Sequence, residues 1–233
     1  MQPISLLIVT CVFFVGSHLV LSHPLRPGLA GRLGERGFQI VYSIVAIATL
    51  IMVVQAWRGM PPEPPLWAVG DALWAAASLI VLFASILFMG SLIGNPALPA
   101  PHAARDAAAA PRGVFAITRH PMMWGFALWA VAHIMVMPTP GQVILSATIA
   151  FLALVGSAGQ DAKKARLMGD AWRGWAARTS FVPYAGQLSG KASWGEAIPR
   201  PHALLGGIVL WIVATWAHGA LGYMVAGMWR WVG

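Results

Sequence analysis

Six apolar runs, separated by short stretches that hold nearly all the charge, decide what this chain can fold into. They cover roughly Ile4–Leu21, Phe38–Trp57, Trp67–Leu92, Met122–Met137, Val143–Ala158 and Leu204–Met228. A helix of about 20 apolar residues crosses the hydrocarbon of a bilayer. Only 9% of the 233 residues are charged, against about 25% in a soluble domain, so lipid must solvate much of the surface. The reading is all-α: one polytopic membrane domain, residues 1–233, with about six transmembrane helices. The fourth and fifth runs are short and joined by Pro138-Thr139-Pro140-Gly141, a turn that makes them a hairpin.

The charges orient the bundle. If the N-terminus lies on one side, the odd-numbered loops fall on the other. Those loops hold Arg26, Arg32, Arg36, Arg105, Arg112, Arg119, Lys163, Lys164, Arg166, Arg173, Arg178, Lys191 and Arg200, whereas the opposite side holds only Arg58 and Arg230. Basic residues mark the cytoplasmic side, so both termini are expected on the side away from the cytoplasm. The net charge of +8 then reflects orientation and attraction to anionic headgroups, and no nucleic-acid partner is expected. Met1 to Ser22 has no Lys or Arg before its apolar stretch and precedes His23-Pro24-Leu25-Arg26. It reads as a retained first helix and not a cleaved signal. The single cysteine, Cys11, excludes an internal disulfide and a multi-cysteine metal site.

Two segments on the basic side differ from ordinary loops. Asn95 to Pro111, rich in Ala and Pro, reads as a mobile linker. Gly159 to Trp175 repeats Leu, Met and Trp among cations and reads as a basic amphipathic helix on the membrane surface. It opens a cytoplasmic segment over 159–202, and the last transmembrane helix follows over 203–228.

Ionisable groups inside spans raise the question of function. Four histidines lie in or at spans: His18, His120, His133 and His218. His23, His102 and His202 each adjoin a proline and read as solvated loop residues. At a rise of about 1.5 Å per residue, His18 and His120 share a depth near the basic side. His133 and His218 share a second depth about 20 Å away. Imidazoles from facing helices suit the axial positions of haem iron, or they hydrogen-bond neighbouring helices as polar glue. Arg119, at the mouth of the fourth helix beside Pro121, adds its charge to that of the helix N-terminus. It would suit a carboxylate or propionate, or it snorkels to headgroups.

The segment Arg119-His120-Pro121 with Gly125 resembles the membrane methyltransferase superfamily of isoprenylcysteine carboxyl and phospholipid methyltransferases. That resemblance implies S-adenosylmethionine as an alternative cofactor and a lipidic substrate. Met123 replaces that motif's tyrosine, and Gln160-Asp161 replaces its later Glu-Glu pair. A closer resemblance is to the NnrU family and the related 15-cis-zeta-carotene isomerase. It rests on Gly16-Ser17-His18, Leu25-Arg26, Leu33-Gly34-Glu35-Arg36-Gly37, Val41-Tyr42-Ser43, His120-Pro121-Met122 and Leu128-Trp129-Ala130-Val131-Ala132-His133. These cover most of residues 1–160.

The NnrU resemblance implies a role in nitrite and nitric oxide metabolism or a redox-type isomerisation, and haem b held by two histidines. It also allows a hydrophobic small molecule as a partner, and it leaves open a non-catalytic accessory role beside respiratory enzymes. Carried over, the metal ligands fall on His18 and His120, with His133 and His218 as a second pair. Arg119, Arg26 and Arg36 are the expected propionate partners.

Overall fold

A computed structural model describes residues 1–232. It is all-helical, with eleven α-helices among the described residues: α1 Pro3–Ser22, α2 Arg26–Arg58, α3 Asp71–Gly90, α4 Ala103–Ala108, α5 Val114–Ile117, α6 Pro121–Val136, α7 Pro140–Met168, α8 Asp170–Arg178, α9 Ala185–Leu188, α10 Pro201–Ala220 and α11 Trp229–Val232. Five of these (α1, α2, α3, α7 and α10) are long and apolar enough to cross a membrane. The sixth apolar helix, α6, has 16 residues, about 24 Å at 1.5 Å per residue. It is short for a bilayer core of roughly 30 Å, but it lies between α3 and α7, where protein shields its ends. The chain is a polytopic membrane protein.

The long helices neighbour one another in the order α10, α3, α6, α7, α1, α2. Small residues set the tightest crossing. A Cβ at Gly207 of α10 would come 2.6 Å from the Ile86 Cα of α3, and one at Gly90 would come 2.6 Å from Val114 Cγ1. Glycine there lets backbones touch, as membrane helix interfaces favour. Outward faces of α1, α2 and α10 carry exposed Val12, Phe13, Ile40, Ile44, Ile47, Leu205 and Val209. That is the pattern of helices solvated by lipid.

Prolines start the helices where the sequence puts them. Pro3, Pro121, Pro140 and Pro201 occupy first turns, where the missing N–H is not needed. The helix α2 is broken once, at Gly34, with φ 70° and ψ 166°, a region open in practice only to glycine. The hairpin of α6 and α7 turns at Thr139, whose Oγ1 accepts from the Gln142 N–H at 3.4 Å.

Two expectations change form. The amphipathic run over 159–175 is split at Gly169 (φ 56°). Its first half simply extends α7 to Met168, and its second half is α8. The apolar face of α8 turns inward: Trp172 and Trp175 are 1% and 2% exposed, packed with Phe115, Ile117 and Val114. Two indoles bring a large apolar area, and the side chains of Val114, Phe115 and Ile117 supply a packed surface to bury it. The stretch Asn95–Pro111, expected as a mobile linker, is tied down. Asn95 Oδ1 accepts from the Ala97 N–H at 2.9 Å, Gln160 Nε2 donates to the Ala97 carbonyl at 2.6 Å, and Lys164 Nζ donates to the carbonyls of Pro96 and Leu98 at 3.0 and 3.1 Å.

Candidate functional site

Arg119 and His120 end the turn between α5 and α6, with His120 as the residue before the proline of α6. Asp161 reaches both from α7. Its Oδ2 accepts from Arg119 Nη2 at 2.6 Å and Nε at 2.8 Å, and its Oδ1 accepts from His120 Nε2 at 2.8 Å. About 20 residues suffice to span lipid, so α7 from about Gly159 onward projects past the span and carries Asp161 with it. Burial alone would raise the Asp161 carboxyl. The hydrogen bonds from His120 and Arg119, with their charge, outweigh it and hold the group below the usual carboxylate range.

The loop after α8 completes the network. The Ser180 carbonyl accepts from the Arg119 N–H at 2.9 Å. The Phe181 carbonyl accepts from Thr118 Oγ1 at 2.6 Å and from Trp124 Nε1 at 2.8 Å. The Phe181 ring lies 5.4 Å from the Arg119 guanidinium and 5.5 Å from the His120 ring. His120 is 2% exposed, and its Nδ1 has no partner among the described residues. That Nδ1 is enclosed by Trp172 and Phe181.

The other predicted residues lie elsewhere. His18 donates Nδ1–H to the Phe14 carbonyl at 2.7 Å and faces Phe14 and Tyr42. None of these neighbours is shared with His120, because α1 packs on α2 and α7 while α6 packs on α3 and α7. The structure therefore does not bring His18 and His120 face to face. Arg26 is occupied by Glu35, at 2.8 and 3.0 Å, and lies 5.4 Å from the Phe38 ring. Arg36 is exposed.

The second histidine pair is brought together. His133 of α6 and His218 of α10 have ring centroids 6.1 Å apart, with planes inclined by 38°. Each donates Nδ1–H to the carbonyl four residues earlier, Trp129 and Ala214, at 2.8 Å. That fixes the tautomer and leaves each Nε2 as the free lone pair. Trp129 stacks at 3.9 Å on His133, and Tyr223 lies 6.4 Å from His218. Beside the same turn of α10 opens a cavity of about 640 Å³ lined by Asp71, Thr215, Trp216, Gly219, Trp229 and Arg230. Arg230 bonds Asp71 at 3.1 Å and covers Trp74 at 4.9 Å. Among the described residues, no three His, Cys, Asp or Glu side chains converge as a metal site of their own.

Sequence reasoning missed Asp161 as the partner of Arg119 and His120, although its position beside Gln160, where the methyltransferases carry acids, was the available signal. It also missed Lys164, buried at 7% exposure. Compared with curated proteins and with solved structures, the chain finds no match. Among family models, the one described as NnrU protein matches residues 6–226. Nearly the whole bundle, from α1 to the approach of α11, lies inside that match, and the chain belongs to the NnrU family.

Proposed function

We propose that this NnrU-family protein binds haem b within the bundle and serves nitrogen-oxide metabolism, with His133 and His218 as the axial ligands. The observation that carries the reading is their spacing. Imidazole nitrogens bind first-row metals at roughly 2.0–2.1 Å, and a ring centroid lies about 1 Å behind its nitrogen, so two rings facing across one metal have centroids roughly 6 Å apart. The observed value is 6.1 Å, and both Nδ1 atoms are already anchored on backbone carbonyls. Trp129 and Tyr223 provide the aromatic wall, and Arg230, paired with Asp71 at 3.1 Å, is the cation at that end. Arg119, Arg26 and Arg36 lie at the opposite end, and the first two already hold acids.

When bound, haem supplies one-electron redox chemistry and an iron that takes small diatomic ligands. The residues of this chain hold the imidazoles in one orientation through the Trp129 and Ala214 carbonyls. The basic face is the cytoplasmic one in this reading, in a bacterial inner membrane, with both termini periplasmic. A methyltransferase reading has less support, because Arg119 and His120 give their donors to Asp161 instead of leaving them for a cofactor.

The test is an absorption spectrum and pyridine haemochrome assay on protein expressed with added haem precursor. The wild type should show a Soret band, and His133→Ala and His218→Ala should each lose or shift it while His18→Ala keeps it. Absence of any Soret band in the wild type would end the haem reading. Loss confined to His18→Ala and His120→Ala would move the iron to the other layer.

A further inference from the structure

At the basic end, where α3 stops and α10 starts, a cavity of about 210 Å³ is lined by Gly90, Arg112, Gly113, Trp175, Arg200 and His202, among others. Its size falls below the roughly 300–1,000 Å³ of sites for drug-sized ligands, so it suits a compact polar group. Three features give that group a sign. Arg112 and Arg200 are exposed and, among the described residues, neither makes an ion pair or a side-chain hydrogen bond. Two like charges on one cavity, neither paired with an acid, mark a place for an anion. Arg200 and His202 also flank the first residue of α10, a helix of 20 residues whose N-terminus carries positive partial charge and leaves the His202 N–H without an acceptor among the described residues, those of Ala203 and Leu204 being given to the Arg200 carbonyl. Finally, Trp175 lines the cavity at 2% exposure, and its indole N–H has no acceptor. A buried donor is seldom left unmet. The one carboxylate in the lining, Asp106, has Arg105 at 3.8 Å and His102 at 3.4 Å.

The surroundings say where the anion comes from. Just below the cationic rim, Ile93, which also lines the cavity, is 62% exposed, and Leu92, Leu204 and Leu205 are 46%, 42% and 64% exposed. These residues sit at the ends of α3 and α10, where those helices leave the hydrocarbon. A cationic pocket above an exposed apolar flank matches a phosphate attached to acyl chains. We propose that this cavity binds the phosphate headgroup of one anionic phospholipid, with the chains lying against α3 and α10. Arg112 and Arg200 neutralise the phosphate, and the backbone N–H of His202 and the indole N–H of Trp175 donate to its oxygens.

The experiment uses the full chain, purified from membranes and reconstituted in nanodiscs of phosphatidylcholine or of an equimolar mixture with phosphatidylglycerol. Retained lipid is read by native mass spectrometry after detergent exchange. The wild type should retain phosphatidylglycerol over phosphatidylcholine. The double variant Arg112→Gln/Arg200→Gln should lose about fivefold in retention per arginine removed, with helical content unchanged. Trp175→Phe, which removes only the indole N–H, should lose about tenfold, and it decides the matter if the double variant does not fold.

Arg32→Gln/Arg36→Gln removes the same charge from exposed positions on the same face and should retain lipid like the wild type. Unchanged retention in a folded Arg112→Gln/Arg200→Gln variant or in Trp175→Phe overturns the proposal. So does equal loss in the control pair, which would mean general surface attraction. Displacement of the lipid by millimolar inorganic phosphate would assign the cavity to the free ion and overturn the lipid reading.

Discussion

Asp161 and His120 are joined across two helices by a single 2.8 Å hydrogen bond, Nε2–H to Oδ1, while the other oxygen of the carboxylate holds Arg119. One acid thus fastens the start of α6 to the projecting part of α7. Asp161→Asn should lower stability by about 2–3 kcal/mol, the usual worth of hydrogen bonds to a charged group, read as the thermal midpoint in detergent. The pH dependence has a definite sign. The folded chain holds this carboxyl below its unfolded value, so the contribution is complete above the usual carboxylate range. It disappears as pH falls through the depressed value. A wild type that shows no more acid sensitivity than Asp161→Asn would refute the pairing.

Lys164 gives the same sign in an alkaline window. Burial first, then the nearby Lys163 and Arg26, lower its ammonium to about 8. The unfolded chain keeps this proton up to about pH 10.4. Between those values the unfolded state binds more protons, so stability rises with pH from this group. Lys164→Met should flatten that rise. It should also speed proteolysis within 95–111, because the carbonyls of Pro96 and Leu98 lose their donor.

Gly207 and Gly16 make a matched comparison. A methyl at Gly207 would strike the Ile86 backbone at 2.6 Å, whereas one at Gly16 meets nothing within 4 Å. Gly207→Ala should destabilise by about 1–3 kcal/mol through overpacking. Gly16→Ala, within a helix, should be neutral or stabilising by under about 1 kcal/mol. Equal midpoints for the two variants would mean that α3 and α10 are not this close.

Trp172 is among the largest fully buried side chains. Trp172→Ala should cost about 3–5 kcal/mol, and Trp172→Phe clearly less. If α8 instead lay on the membrane surface, both changes would leave the midpoint in detergent near the wild-type value.

What could be read in advance follows from what a linear sequence encodes. Span length and hydropathy are local, so the helices of the bundle stand out, as does the hairpin marked by Pro138 and Pro140. Depth is also nearly linear in residue number: counting put His133 and His218 on one level, and their rings lie 6.1 Å apart. The same count put His18 level with His120, yet their side chains face different helices. Depth says nothing of the order in which helices neighbour one another, and that order sets α7 beside both α1 and α6. Asp161 escaped notice for the same reason, since its partners lie 41 and 42 positions away. For Trp172 and Trp175, amphipathic spacing was visible, but the same stripe fits a lipid surface or a protein interior. The neighbours Phe115 and Ile117, distant in sequence, decided between them.

The unbroken course of α7 has a mechanical consequence. Its 29 residues make a rod of roughly 43 Å, longer than the hydrocarbon layer. Glu63 receives the Gly141 N–H at one tip, and the other half reaches Asp161 and Lys164. A tilt of this rod would shift both aqueous surfaces together, in opposite directions, as a seesaw does. Strain arriving at the turn near Pro138 would therefore be felt at Arg119 and in the stretch around Pro96.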